Sequence, residues 1–395
     1  CRLVDCGHSP SSDLCMTQAP LWDIFCKVVD NHGDIGVCWR LARQLAAEQP
    51  VRVRLWVDDM QALKTLWPAA ELMDRQSLAG VDVCRWRAEF DADVRVADVV
   101  IEAFACHLPP TYIKSMAIKR DQGQAPQWFN LEYLSAESWV EGYHGLFSPH
   151  PHTGLKKAFF FPGFSSKTGG LIREKDLFQS RDAFLKDPAT ADQWLAQQGV
   201  HRQSGGLTIS LFAYENPAIG SLLHAWQLGD SAINCLVPEG RILTSINAVL
   251  ATQLKAGDQL QLGALRLIVL PFLHQDDYDR LLWSCDVNFV RGEDSFVRAH
   301  WAGKPMVWQI YPQEDDIHLI KLDAWLAQQA QISGPALTAA ALTRAWNTHI
   351  DCAAEWQQVI TDQKRWQQQS LAWTRHLNLF DDLASQLVYF GQKSL

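Results

Sequence analysis

Short apolar runs alternate with helix-like segments along most of this chain, and this alternation constrains the fold more than any other feature. In the first half, candidate strands at 22–29, 51–57 and 99–104 are each followed by a helical pattern. A repeated strand-then-helix order builds a parallel sheet with helices on both faces. The alternation restarts with the apolar run 207–212. We therefore predict two successive α/β units, joined near residues 165–205.

The rest of the chain is less regular. Residues 148–163 are interpreted as a loop-rich stretch, and the pattern of 336–395 is mostly helical. The first fifteen residues contain no apolar segment typical of a signal peptide, so the N-terminus is treated as a tail or an added extension. The predicted organisation is a tail at 1–21, a Rossmann-like domain at 22–170, a linker region at 171–205, a second Rossmann-like domain at 206–375 and a C-terminal helix at 376–395 that packs back on the first domain.

Composition excludes several classes of protein. The net charge of −9 argues against a dedicated nucleic-acid binder, which normally carries a basic face. No apolar run approaches the roughly 20 residues needed to span a bilayer, so no membrane insertion is expected. The 10 cysteines include no C-x-x-C pair, and most lie in apolar segments typical of buried thiols in a reducing compartment. We therefore predict a cytoplasmic protein.

The first candidate site lies where the opening strand turns into a helix. This turn carries two carboxylates, Asp30 and Asp34, together with Asn31, Gly33 and Gly36. Open α/β sheets bind ligands at the carboxyl ends of their strands, and glycines allow a substrate to approach the backbone closely. The residues therefore predict a ligand-binding turn, and the alternative is an ordinary loop with Asp34 as a helix cap.

A second acidic turn follows a strand in the second α/β unit. It contains Arg291, Gly292, Glu293, Asp294 and Ser295, and a helical pattern follows. Backbone N–H groups at a helix start are suited to a diphosphate. Glu293 is a poor neighbour for phosphate and is expected to accept hydrogen bonds from sugar or ribose hydroxyls. The simpler interpretation is that Asp294 only caps the helix.

Two further strand ends carry side chains that could bind a nucleotide. Phe272 follows the strand near 265–270 and could stack on a base, and Gln275 could bind the edge of that base. Tyr214 follows the strand at 207–212 and adds a ring with a polar tip. The alternative is that Phe272 belongs to the core.

Motifs for metals and common cofactors are missing from the sequence. No G-x-G-x-x-G follows the first strand, and no cysteine or histidine spacing is typical of a zinc site. Asp91 and Asp93 could suggest a metal-dependent sugar-nucleotide site, but they lie in a polar stretch and are interpreted as solvated surface. We therefore predict no metal and no bound cofactor.

Taken together, these segments closely resemble one family, the bacterial elongation factor P arginine rhamnosyltransferases. The resemblance extends from about Trp22 to the C-terminus. The shared runs are 23–26, 28–31, 33–42, 128–137, 161–164, 169–171, 291–299 and 301–305.

The resemblance implies a GT-B fold, in which two Rossmann-like domains face a central cleft, here with a helical C-terminus. It also implies inverting, metal-independent chemistry, with dTDP-β-L-rhamnose as donor and an arginine of elongation factor P as acceptor. The resemblance implies that Asp34 is the catalytic base and Asp30 its partner. It implies that Glu293 is catalytic and also belongs to the sugar-diphosphate site, together with Asp294 and Ser295. It further implies a thymidine pocket of Tyr214, Phe272 and Gln275, donor binding by Arg291 and Gly292, and an acceptor side that contains Asn31, Gly33 and Gly36.

Two other kinds of protein fit the same turns. Another GT-B glycosyltransferase or a sugar-nucleotide epimerase could share the acidic turn and the diphosphate site. A non-catalytic nucleotide-sugar-binding module would bind the donor and leave the acceptor unmodified. The two carboxylates at the first turn favour an enzyme over such a module.

Overall fold

A computed structural model describes residues 19–29, 32–203 and 205–393 of the chain. Its first lobe is an eight-stranded sheet in the order β3-β4-β2-β1-β5-β6-β8-β7. The strands are β1 (Leu21–Cys26), β2 (Arg52–Val57), β3 (Arg75–Leu78), β4 (Val81–Arg85), β5 (Val99–Ala103), β6 (Gln127–Leu131), β7 (Phe147–Pro149) and β8 (Lys156–Phe160). The helices are α1 (Gly33–Glu48), α2 (Met60–Leu66), α3 (Pro110–Asp121) and α4 (Val140–Tyr143). All strands pair in parallel except β3 and β7 at the two edges.

The second lobe is a six-stranded sheet that follows two connecting helices, α5 (Leu177–Leu185) and α6 (Pro188–Gln197). Its strands are β9 (Leu207–Leu211), β10 (Ile233–Pro238), β11 (Gln259–Leu262), β12 (Leu265–Leu270), β13 (Val287–Arg291) and β14 (Met306–Gln309), in the order β11-β12-β10-β9-β13-β14. The helices between them are α7 (Ile219–Leu228), α8 (Ile242–Leu250), α9 (Gln275–Ser284) and α10 (Asp294–Ala302). Within residues 205–393, the sheet pairs in parallel except for β11, which is antiparallel to β12.

Helices follow the second sheet: a 3-10 turn (Glu314–Asp316), α11 (Ile317–Ser333), α12 (Leu337–Asn347), α13 (Ala353–Thr361), α14 (Gln363–Leu377) and α15 (Leu383–Lys393). The two α/β lobes and the helical C-terminal region are those that the sequence pattern predicts, and the fold class is confirmed. No helix in the described part of the chain is both long and apolar enough to cross a membrane.

The central strands are buried on both faces, which explains their continuous apolar runs. Every residue of β1, including Asp23, is buried, and the same holds for β10 and β13. Helices cover both faces of a parallel sheet, so its strands lose the apolar-polar alternation of a half-exposed strand. Functional residues must therefore come from the strand ends, which is where both acidic turns lie.

Helix α15 packs against the first lobe although it follows the whole second lobe in the sequence. Leu383, Ala384 and Leu387 are buried in the same apolar core as β1 and α1. Leu383 donates its N–H to the carbonyl of Leu171 at 3.0 Å, and Gln44 of α1 donates to the carboxylate of Asp382 at 2.9 Å. Helix α15 therefore closes the core of the first lobe.

One part of the first lobe differs from the expectation. The stretch 148–163, interpreted as loop-rich, contains part of the antiparallel pair β7 and β8. Strand β8 also pairs in parallel with β6 and extends the sheet. Pro149 ends β7, and Pro151 and Gly154 lie in the turn between β7 and β8. These turn-forming residue types make the two short strands hard to recognise in the sequence.

Candidate active site

The two acidic turns face each other across the cleft between the lobes. Helix α1 begins after β1, and helix α10 begins after β13. The side-chain amide of Gln275 joins the lobes, since its Nε2 donates to the carbonyl of Gly36 at 3.0 Å and to Asp294 Oδ2 at 3.1 Å. The two helix starts are therefore held within one hydrogen-bonded network.

Asp34 lies in the first turn of α1 and is buried. Its Oδ2 accepts a hydrogen bond from the N–H of Val29 at 2.8 Å, and its Oδ1 accepts one from the hydroxyl of Tyr133 at 3.1 Å. These donors approach from the two sides of the turn and fix the plane of the carboxylate. Asp34 is thus held in one orientation by its surroundings.

Glu293 immediately precedes α10 and faces Asp34 from the second lobe. Its pKa is raised to about 8, mainly by burial and also by the charges of Asp34 and Asp294, although a hydrogen bond from the N–H of Leu134 acts in the opposite direction. The Leu134 bond to Glu293 Oε2 is 3.0 Å long. Glu293 therefore carries a proton for much of the time at neutral pH, and so adds little negative charge to the cleft.

Asp294 is bound by cations from both lobes. Arg298 Nε lies 2.9 Å from its Oδ2, and Arg40 Nη1 lies 3.3 Å from its Oδ1. Burial alone would raise the pKa of Asp294, but the positive charges of Arg298 and Arg40 outweigh it and lower the pKa. Asp294 is therefore ionised and joins the lobes, whichever ligand the neighbouring backbone binds.

Arg40 extends this network into the linker. It is fully buried and bonds the carboxylate of Glu174 through Nε and Nη2, both at 2.7 Å. Arg298 also bonds Asp279 at 2.7 Å. Two buried guanidinium groups and three carboxylates thus form a continuous ion network behind the cleft.

The cleft contains a cavity of about 660 Å³ on the side of the second lobe. Within its wall, the guanidinium of Arg291 lies 4.6 Å from the ring centroids of both Phe212 and Tyr214. The ring of Phe272 contacts His32 of the first lobe, with centroids 5.4 Å apart. The lining includes every residue predicted on the donor side: Tyr214, Phe272, Gln275, Arg291, Gly292, Glu293, Asp294 and Ser295.

The turn between β13 and α10 is stabilised by the side chain of Ser295. The hydroxyl of Ser295 donates to the carbonyl of Arg291 and accepts from the N–H of Arg291 at 3.1 Å. Gly292 between them has a φ of +61°, which a residue with a side chain rarely adopts. The sharp turn presents the start of α10 to the cavity.

A second cavity of about 870 Å³ lies on the side of the first lobe. Asp34, Phe104 and Tyr133 line it from the first lobe, and Lys321 lines it from α11. It shares Gly33, Gly292 and Glu293 with the first cavity. The cleft therefore has two adjoining chambers, with Glu293 at their junction and Asp34 in the second.

The predicted residues Asp30 and Asn31 lie outside the described residues, so their predicted roles stay predictions. Gly33 lines both chambers, and the carbonyl of Gly36 receives the amide of Gln275. A Cβ at Gly36 would lie 3.6 Å from the side chains of Asp294 and Gln275, in ordinary van der Waals contact. The first turn of α1 therefore packs directly against the second lobe at this position.

The sequence pattern predicts no role for three residues of the site. Tyr133 and Arg40 lie within the shared runs 128–137 and 33–42, yet nothing in their spacing connects them with Asp34 or Asp294. Glu174 lies in the linker and meets Arg40 across 134 residues of sequence. Arginine is almost never fully buried without a partner, so the burial of Arg40 in the structure is what points to Glu174.

Asp91 and Asp93, the competing metal pair, are exposed and form a local turn in which Asp91 accepts the N–H of Asp93 at 2.9 Å. This is the ordinary behaviour of a solvated aspartate loop. Among the residues that the structure describes, no group of three or more His, Cys, Asp or Glu side chains is arranged to hold a metal ion.

Comparison with known proteins identifies the family. The model of the elongation factor P (EF-P) rhamnosyltransferase EarP matches residues 22–392. A protein-arginine rhamnosyltransferase of Pseudomonas putida is 50% identical, over 95% of this chain and 99% of its own length. The corresponding protein of Pseudomonas aeruginosa is 47% identical, over 93% of this chain and 98% of its own length.

Solved structures agree with this result. A structure described as the basis for EarP-mediated arginine glycosylation of translation elongation factor EF-P is 37% identical, with a TM-score of 0.68, and covers 95% of this chain and 100% of that one. A UDP-glucosyltransferase from Polygonum tinctorium shares the fold alone, at 11% identity and a TM-score of 0.52, over 95% of this chain and 98% of that one. The chain therefore belongs to the elongation factor P rhamnosyltransferase family, has the GT-B fold, and is an enzyme of the protein-arginine rhamnosyltransferase class.

Proposed function

We propose that this enzyme transfers L-rhamnose from dTDP-β-L-rhamnose to an arginine guanidinium of elongation factor P, with inversion at the anomeric carbon and without a metal. The proposal rests on the position of Asp34, which lines the second chamber and faces Glu293 at the junction of the two chambers. A donor in one chamber and an arginine in the other would bring the reacting atoms together at this junction. The acceptor protein is proposed from the related enzyme whose solved structure names EF-P.

The acceptor needs a base because a guanidinium is protonated in water and is a weak nucleophile. In the proposed reaction, a guanidinium nitrogen attacks the anomeric carbon and the bond from that carbon to the diphosphate oxygen breaks. The nitrogen loses its proton to the carboxylate of Asp34. Asp30, the predicted partner, would share the hold on the guanidinium.

The donor is a dianionic diphosphate, so its departure needs compensation for developing negative charge. The N-terminal end of α10 supplies a positive dipole and N–H groups at the first chamber. Because burial raises the pKa of Glu293 to about 8, its carboxyl repels the diphosphate less than an ionised one would. Glu293 can instead bond the sugar hydroxyls. These features support leaving-group stabilisation by the protein itself.

The function is tested by intact-mass analysis of elongation factor P after incubation with the enzyme and dTDP-rhamnose, with and without EDTA. We expect a mass increase of one deoxyhexosyl group, placed on arginine by fragmentation, at equal rates in both samples. Release of free sugar with an unmodified acceptor would instead indicate an epimerase or hydrolase, and donor binding with no reaction would indicate a binding module. Transfer that is lost in EDTA and restored by Mg²⁺ or Mn²⁺ would contradict metal independence.

Phe272→Ala should weaken the binding of dTDP and of dTDP-rhamnose by the same amount, roughly 1–3 kcal/mol, if the ring stacks on the base. Titration calorimetry with each ligand measures both values. Phe147→Ala is the matched control, because this phenylalanine is exposed on the edge strand β7 and lies outside the linings of the two chambers. Unchanged affinity for dTDP in Phe272→Ala would remove the ring from the nucleotide pocket.

A further inference from the structure

The hydroxyl of Tyr133 reaches the acceptor-side carboxylate from a strand end in the same lobe. Tyr133 follows β6, and its hydroxyl lies 3.1 Å from Asp34 Oδ1. Burial and the neighbouring charge of Asp34 raise the pKa of Tyr133, so the phenol keeps its proton and acts as a donor. The second oxygen of Asp34 is held separately by the N–H of Val29 at 2.8 Å. The two carboxylate oxygens are therefore distinguished by different donors.

The ring of Tyr133 is itself fixed by a stacked neighbour. Phe104 lies parallel to it, with ring centroids 4.3 Å apart and an angle of 13° between the planes. Both rings line the second chamber, and Tyr133 remains 44% exposed. A half-exposed tyrosine would otherwise be free to turn away, so the stack is what keeps its hydroxyl on Asp34.

Phe104 is placed by a loop in an unusual backbone conformation. Phe104, Ala105 and His107 have φ values of +55°, +52° and +58°, a region that non-glycine residues rarely adopt. The loop is held by bonds at both ends: Phe104 donates its N–H to the carbonyl of Leu131 at 2.7 Å, and His107 donates its N–H to Glu102 at 3.0 Å. A strained backbone of this kind persists where surrounding contacts hold it in place, and it is common at functional sites.

We propose that Tyr133 is a positioning residue for the transfer reaction: held by Phe104, it donates a hydrogen bond to Asp34 and orients that carboxylate toward the acceptor guanidinium. The inference rests on the proposed function. With the phenol and the N–H of Val29 fixing the plane of the carboxylate, the side of Asp34 that lines the chamber receives the guanidinium proton.

The test is Tyr133→Phe, which keeps the ring and its stack and removes only the hydroxyl. We expect kcat to fall by about 10- to 100-fold, the range set by one hydrogen bond to a charged group. The loss should fall on kcat alone, because the Tyr133 hydroxyl contacts Asp34 and does not line the first chamber. The KM for dTDP-rhamnose and the affinity for dTDP should stay unchanged. Tyr143→Phe, at an exposed tyrosine that ends α4, is the matched control.

Two outcomes would overturn the inference. One is a Tyr133→Phe enzyme with wild-type kcat. The other is a lower kcat accompanied by an equal loss of affinity for dTDP, which would show a merely structural role. In both cases, kcat of the variant is divided by kcat of the wild-type enzyme, measured with the same acceptor. If the wild-type enzyme left elongation factor P unmodified, the proposed function would fail first, independently of any effect at Tyr133.

Discussion

Asp34→Asn should lose transfer activity while it still binds the donor. Asparagine has the same shape as aspartate, and its amide oxygen can still accept from Val29 or Tyr133. It cannot accept the guanidinium proton, and the loss of a general base costs about 10²- to 10⁴-fold in rate. We expect kcat to fall by at least this factor, because the positioning of the guanidinium is also lost.

The measurement is kcat with elongation factor P as acceptor, together with calorimetry of dTDP binding. Asp58→Asn is the matched control, because Asp58 accepts the N–H of Val28 at 2.9 Å, one residue away from the Asp34 contact, and is exposed. The control should keep its activity. Near-normal turnover of Asp34→Asn would remove Asp34 from the catalytic role.

Arg40→Met should strongly destabilise the folded protein. Arg40 is fully buried and is bonded to Glu174 and Asp294. Removal of one partner from a buried ion network leaves the others uncompensated and lowers the free energy of unfolding by roughly 3–5 kcal/mol. Methionine fills a similar volume, so the loss reflects charge more than a cavity.

Chemical denaturation monitored by tryptophan fluorescence measures this loss. Arg344→Met is the matched control, because Arg344 bonds Asp323 at 2.7 Å and both side chains are about half exposed. Exposed ion pairs contribute about 0–1 kcal/mol, so the control should be close to wild type. Equal losses in the two variants would show that the buried network stabilises the fold no more than an exposed ion pair does.

The regular part of the fold was accessible from the sequence because it depends on local pattern. The run 51–57 alternates apolar and polar residues at its start, the run 207–212 is mostly apolar, and the two form β2 and β9. The hairpin of β7 and β8 was not accessible. Its strands are short, lie at a sheet edge and are interrupted by turn residues, so pairing with β6 decides their conformation.

The same distinction holds for the candidate site, where local motifs were predictable and contacts between distant residues were not. The turns after β1 and β13 are recognisable because acids, glycines and a helix start lie within a few residues. The contacts of Tyr133 with Asp34 and of Arg40 with Glu174 join residues 99 and 134 positions apart. Such pairings depend on how the loops pack after the sheets have formed, and no local pattern encodes them.

The packing of α15 on the first lobe affects how the protein is made. The core around β1 and α1 includes Leu383 and Leu387, which the ribosome adds only after the whole second lobe. The first lobe can therefore start to fold early in synthesis, but it cannot bury all its apolar surface until α15 has emerged. A message that ended before residue 383 would yield a nascent protein with an open core, which is a substrate for chaperones and proteases.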